Sequence, residues 1–152
     1  MTILRDKPRG IQLSISLNFE SSLNRWSGKP SPICYDNEVC EKSLAIEHDG
    51  SIYSCDHFVY PEYNLGNIKE NPIPGLMSSE TQINFGLSKI NSLPKYCREC
   101  SYLFACNGGC PKNRIIKTPD GEFGLNYLCR GLKKYFSKID PFMEILADKF
   151  KK

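Results

Sequence analysis

With 152 residues, 40% of them hydrophobic and 24% charged, the chain is sized for one domain with a real core. A formal net charge of +3 is too small to argue for a nucleic-acid or membrane-surface partner. No apolar run approaches the roughly 20 residues of a membrane span. The opening Met1-Thr-Ile-Leu-Arg-Asp-Lys-Pro8 lacks the apolar core and cleavage site of a secretory signal. The expected compartment is therefore the reducing cytoplasm, where eight cysteines point to metal ligation before disulfides.

Ile11, Leu13, Ile15 and Leu17 alternate as in a strand, while Ile11, Ile15, Phe19, Leu23 and Trp26 fit one helical face. The helical period persists to Trp26 and Gly28-Lys-Pro-Ser-Pro32 stops it, so a core-packing helix is expected just before Cys34. Cys34 to Cys40 is a polar loop with a thiol at each end. Leu44–His48 and Ser51–Cys55 flank Asp49-Gly50, a two-residue hairpin signal that would set His48 against Ser51 and Leu44 against Cys55. Such a hairpin returns Cys55 towards Cys40 and makes Cys34, Cys40 and Cys55 a three-thiolate set. Tyr60-Pro61 opens a loop, Asn64–Ile68 reads as a short strand and Asn71-Pro-Ile-Pro-Gly75 as a linker. Ser79-x-x-Gln82 is a capping box for a helix to about Asn91, which Ser92-Leu-Pro94 ends.

Five cysteines then fall between Cys97 and Cys129, the first four spaced C-x2-C-x5-C-x3-C. Gly108-Gly109 would let the backbone approach closely before Cys110. Asp120-Gly121 marks a second, weaker hairpin. Leu128, Leu132, Tyr135 and Phe136 form an apolar helical stripe that Pro141 should break, leaving Phe142, Ile145, Leu146 and Phe150 on a separate terminal helix.

A C-x2-C pair can turn both thiolates onto one metal from a single loop. Eight thiolates suffice for two iron–sulfur clusters or for two structural zinc sites, and spacing alone divides evenly between them. Disulfides come well behind. His48 and His57 read as structural or surface groups.

The spacings Cys40-x9-Gly50-x4-Cys55, then C-x2-C-x5-C-x3-C, then a last cysteine, resemble the SPASM domain of radical S-adenosylmethionine enzymes. Glu47-His-Asp-Gly-Ser-Ile-Tyr-Ser-Cys-Asp-His-Phe58, Pro61-Glu-Tyr, Leu65-Gly-Asn-Ile68, Leu93-Pro-Lys-Tyr-Cys97 and Asn107-Gly-Gly-Cys-Pro-Lys112 resemble the anaerobic sulfatase-maturating enzymes within that group. The likeness covers roughly residues 15 to 150. It departs in the Cys110–Cys129 interval, whose eighteen intervening residues are one more than the family pattern has, an addition the Asp120-Gly121 turn can absorb.

The resemblance implies two auxiliary 4Fe–4S clusters with interleaved ligands: Cys34, Cys40, Cys55 and Cys110 for one, and Cys97, Cys100, Cys106 and Cys129 for the other. Two-cluster ferredoxins cross their fourth cysteine in the same way. It also implies oxidation of a sulfatase cysteine or serine to Cα-formylglycine, with the auxiliary clusters accepting an electron and Asp56 aligned with the family's catalytic base. The C-x3-C-x2-C motif for the S-adenosylmethionine cluster is absent, because Asn113 stands three residues after Cys110. Nor is there room for the accompanying barrel, since a complete one takes about 250 residues. S-adenosylmethionine and a third cluster would belong to a full-length enzyme, and this part alone should not be active.

The expected fold is a small, cluster-organised α+β domain with β-hairpins, long loops and flanking helices, SPASM-like. Residues 1–33 would connect from a missing N-terminal radical S-adenosylmethionine barrel, and 34–152 would form the SPASM domain with C-terminal helices. Expected partners are that N-terminal domain and a sulfatase polypeptide. The alternatives are the SPASM domain of another peptide-modifying radical enzyme, or a zinc-stabilised interaction module.

Overall fold

The computed structural model describes residues 17–40 and 43–150. The expected strand-or-helix pattern at Ile11, Leu13 and Ile15, with the rest of 1–16, lies outside the described residues.

Helix α1 (Leu17–Trp26) forms where the period predicts it, but its fully buried side chains are Ser21 and Ser22. Trp26 packs edge-on to Phe104, with ring centroids 4.8 Å apart, and against Phe136 at 5.8 Å. Its Nε1 donates to Asp140 Oδ1 at 2.8 Å, and Tyr102 Oη donates to the other Asp140 oxygen at 3.2 Å. These contacts fasten α1 to the C-terminal helix.

The first hairpin forms, one residue out of the expected register. Strands β1 (Ala45–Ile46) and β2 (Ser51–Tyr53) pair antiparallel, Ala45 facing Tyr53 and Ile46 facing Ile52. A two-residue type I′ turn needs positive φ at both central residues, and here Gly50 alone adopts it (φ +91°). The loop is therefore three residues, His48-Asp49-Gly50, closed by Glu47 N–H to the Ser51 carbonyl at 2.9 Å. The Asp49 carboxylate accepts from Ser51 N–H and Oγ, both at 2.9 Å, and fixes the bend. Strand β3 (Asn64–Asn67) pairs on the other side of β2, giving the order β1-β2-β3 over a completely buried Ile52.

Part of the expected linker is a short helix, α2 (Ile73–Met77), whose Leu76 is buried. Two prolines at its start lack only N–H groups that no helix would have used, so Pro72-Ile-Pro74 begins a helix instead of preventing one. Helix α3 (Glu80–Asn91) starts at Ser79, whose Oγ accepts Gln82 N–H at 3.2 Å. The return half of the capping box is missing because the Gln82 side chain is buried and donates to the Ser54 carbonyl at 3.2 Å.

Short helices α4 (Lys95–Arg98) and α5 (Leu103–Cys106) carry the cysteine stretch. Strands β4 (Ile116–Lys117) and β5 (Phe123–Leu125) form the second hairpin. A small apolar core of Leu93, Cys97 and Leu125, flanked by Tyr96, Leu103 and Cys129, lies between these elements. Helix α6 (Cys129–Phe150) runs unbroken through Pro141, against expectation. A proline inside a helix costs about 3 kcal/mol. Phe136, Met143 and Ala147 lie buried on either side of it, and burying one Phe or Met side chain fully returns about 1.5–3 kcal/mol. Packing and the Asp140 bonds thus outweigh the lost backbone hydrogen bond. Among the described residues no helix is long and apolar enough to cross a membrane.

Candidate metal centres

The fold gathers the eight cysteines into two groups of four. Cys34, Cys40, Cys55 and Cys110 line one cavity, beside Asp56, His57 and Lys89. Cys97, Cys100, Cys106 and Cys129 line another, beside Tyr96, Leu103 and Leu125.

Helix α3 positions the first group. It buries Gln82, Phe85, Gly86 and Lys89, while Ile83, Leu87 and Ile90 are exposed. Phe85 packs on Phe58 and Tyr63, and the other three each hold a different cysteine segment. Gln82 binds the carbonyl of Ser54, next to Cys55. The Gly86 carbonyl accepts Cys40 N–H at 3.2 Å, and a Cβ on Gly86 would stand 3.0 Å from the Cys40 carbonyl oxygen. Lys89 Nζ donates to the carbonyls of Cys34 (2.9 Å), Tyr35 (3.0 Å) and Asn37. Helix α1 braces the same turn from the other side, through Ser21 Oγ to the Asp36 carboxylate at 2.6 Å. The capping box announces this helix, but a periodicity search for apolar faces does not find the face it buries, of which only Phe85 is apolar and large.

The two groups cross at Asn107-Gly108-Gly109, which runs from Cys106 of one to Cys110 of the other. All three residues are left-handed, with φ of 44°, 72° and 64°. Side chains are excluded as well: a Cβ on Gly109 would lie 2.2 Å from Asn126 Nδ2. Arg114, buried and unremarked in the sequence, donates to the carbonyls of Asn107 (3.0 Å), Gly108 (3.2 Å) and Gly109 (3.3 Å). Asn126 caps the approach to α6 by accepting Leu128 N–H at 2.9 Å, which sets Cys129 at the helix start.

Burial, with smaller effects of neighbouring groups, pushes the Cys55 thiol up to about 12 and Cys106 to about 11. Cys40, Cys97 and Cys129 are raised by the same desolvation. Thiols raised in this way become thiolates when a cation joins them, and its binding releases their protons. The donor set therefore fits a thiolate-held iron–sulfur group in each cavity.

Asp56 is exposed at the rim of the first cavity, where its carboxylate accepts a hydrogen bond from Cys55 Sγ at 3.2 Å. That bond holds its carboxyl below the usual carboxylate range. His57, expected as a surface group, is exposed yet reaches the site, with Nδ1 3.5 Å from Cys110 Sγ. Ligand atoms of Cys55, Asp56 and His57 lie within 4.8 Å of one another, so this rim could also hold a single ion. His48 is exposed beside Glu47, away from both cavities.

Residues 34–101 match the family model of SPASM, described as an iron-sulfur cluster-binding domain. The chain carries a SPASM domain. Its homologues are anaerobic sulfatase-maturating enzymes. The serine-type enzyme of Bacteroides thetaiotaomicron is 49% identical over 128 residues, 84% of this chain and 31% of that protein. The cysteine-type enzyme of Clostridium novyi is 33% identical over 120 residues, 79% of this chain and 32% of that one. Among solved structures, anSMEcpe with bound AdoMet superposes with a TM-score of 0.70 at 29% identity, covering 87% of this chain and 34% of its own. The same protein with AdoMet and the Kp18Cys peptide gives 0.69 at 28% identity, covering 87% and 36%. The SPASM chain thus spans about a third of the length of the curated relatives it matches. The part of anSMEcpe that superposes shares this chain's small α+β fold, and the described residues form no barrel.

Proposed function

We propose that this SPASM domain is the auxiliary-cluster part of an anaerobic sulfatase-maturating enzyme. In this reading two 4Fe–4S clusters are bound, one by Cys34, Cys40, Cys55 and Cys110, the other by Cys97, Cys100, Cys106 and Cys129. The observation that carries it is the convergence of thiols from distant segments into two cavities, four at each. When bound, the clusters supply one-electron redox capacity in a protein interior.

The remaining roles belong to side chains of the chain. The substrate is a sulfatase polypeptide whose serine loses two hydrogens to give the aldehyde of Cα-formylglycine directly, or whose cysteine loses them to give a thioaldehyde that water converts to the same aldehyde with release of hydrogen sulfide. The first hydrogen leaves in chemistry that a separate radical S-adenosylmethionine domain provides, to which residues 1–33 lead. Asp56 takes the remaining proton on its carboxylate. Its exposure at the rim leaves it open to an approaching peptide. The cytoplasm is the compartment in which eight thiols stay reduced.

Anaerobic purification followed by iron and sulfide analysis tests the reading. About eight atoms of each per chain are expected. Two zinc ions in place of iron would overturn it.

A further inference from the structure

Lys89 and Arg114 are buried cations, 0% and 6% exposed, and neither forms an ion pair with a carboxylate of the described residues. Lys89 spends its three donors on the carbonyls of Cys34, Tyr35 and Asn37. Arg114 uses all five: Asn107, Gly108 and Gly109 carbonyls, the Lys89 carbonyl at 2.6 Å and Ser92 Oγ at 3.1 Å. Hydrogen bonding is satisfied; the buried Asp36 carboxylate acts on Lys89 from a distance without forming an ion pair, and a further opposite charge is called for. Buried charges persist when an opposite charge is near, because dipoles alone do not repay the loss of water.

The groups around them identify where that opposite charge should arise. Lys89 lies near Cys40, Cys34 and Cys110, all of the first thiol group. Arg114 lies near Cys97 and Cys106 of the second group and Cys40 and Cys110 of the first. A 4Fe–4S core with four thiolates is net negative, and reduction adds one more negative charge.

We propose that Lys89 and Arg114 are built-in counter-charges to the two metal–thiolate groups. Lys89 serves the group held by Cys34, Cys40, Cys55 and Cys110; Arg114 is shared between both. The proposal rests on the cluster reading above. Both are positioning residues, because they touch the ligand-bearing backbone and no reacting atom. Each favours the reduced form by placing positive charge beside the added electron. The shared arginine makes the two potentials respond together, although the ligand sets are separate.

The test is a potentiometric titration of the anaerobically reconstituted chain, followed by electron paramagnetic resonance. Lys89→Gln, Arg114→Gln and the charge-keeping Arg114→Lys are compared with wild type. The wave of the first group is recognised by its absence in Cys110→Ala. Lys89→Gln should move that wave to more negative potential by about tenfold in the reduction equilibrium, about 59 mV for one electron, and leave the other in place. Arg114→Gln should move both. Arg114→Lys should hold both potentials near wild type while retaining less iron, since it keeps the charge and loses the five-donor fork. Unmoved waves in fully loaded Lys89→Gln and Arg114→Gln overturn the proposal and leave the cluster reading intact. A wild-type chain that takes up no iron overturns the cluster reading itself, and the proposal with it. Where Lys89→Gln takes up no iron, the charge-keeping Lys89→Arg is titrated in its place. Its first-group wave should stay near wild type, and a loaded Lys89→Arg whose wave moves to more negative potential by about 59 mV overturns the assignment.

Discussion

The backbone of Gly108 passes so close to Leu93 that a Cβ there would stand 2.4 Å from Leu93 Cδ2. Gly108 is also left-handed and lies between Cys106 and Cys110, the cysteines at which the chain passes from one cavity to the other. Gly108→Ala combines backbone strain of about 1–3 kcal/mol with a displaced core leucine. Iron content should fall at both sites, and the melting temperature of the holo chain should drop. Gly121→Ala, with a similar φ but open space around it, should leave iron content unchanged. Equal iron loss in the two variants would refute a special role for the crossover.

Metal removal should separate two parts of the molecule. The segments around residues 34–63 and 95–125 are short helices, short strands and loops with few buried apolar side chains, so metal–thiolate bonds offset much of their ordering entropy. Chelation is expected to abolish near-UV circular dichroism and open these segments to protease. The far-UV helical signal of α3 and α6 should largely persist. An apo chain as protease-resistant as the holo chain would contradict this.

Single cysteine variants should report the cavity to which each thiol belongs. Cys110→Ala is expected to lose the same spectroscopic species as Cys34→Ala, and Cys129→Ala the same species as Cys97→Ala. Each should keep about four irons. If Cys110→Ala instead matches Cys97→Ala, the groups of four are assembled differently once metal is bound.

Asp56→Asn keeps the shape of the rim and removes the base. In a full-length enzyme carrying this domain, formylglycine production should fall by about 10²–10⁴-fold, the usual cost of losing a positioned general base. Iron content should stay constant, and S-adenosylmethionine cleavage should continue without product. Wild-type turnover by a fully loaded Asp56→Asn enzyme would leave the carboxylate as a surface group.

Pro141→Ala should stabilise the chain. The helix already runs through this exposed position, so alanine restores a backbone donor for the Ser137 carbonyl without altering the buried face. A gain of up to about 3 kcal/mol is the ceiling set by the proline penalty. Denaturant unfolding measures it; a loss of stability would mean that α6 relies on the proline's shape.

Local chemistry in the sequence was enough for features that local chemistry controls. Ser79 starts α3 as expected, since a hydroxyl three residues before a backbone N–H caps a helix wherever it sits. Gly50 and Gly121 turn both hairpins, because few other residues adopt positive φ cheaply. The cysteine spacing raised the expectation of metal ligation, and the resemblance it carried agrees with the SPASM family model that matches residues 34–101. Tertiary structure decided the rest. The hairpin register moved by one residue because Asp49 kept a negative φ and bound Ser51 with its side chain. Helix α6 crossed Pro141 because Phe136, Met143 and Ala147 all had a core to enter. The residues of α3 that hold the segments of Cys34, Cys40 and Cys55 are Gln82, Gly86 and Lys89, which by composition belong in water. They are buried because distant carbonyls at Cys34, Tyr35, Asn37 and Ser54 need donors, and no periodicity within twelve residues of helix encodes where those carbonyls will be.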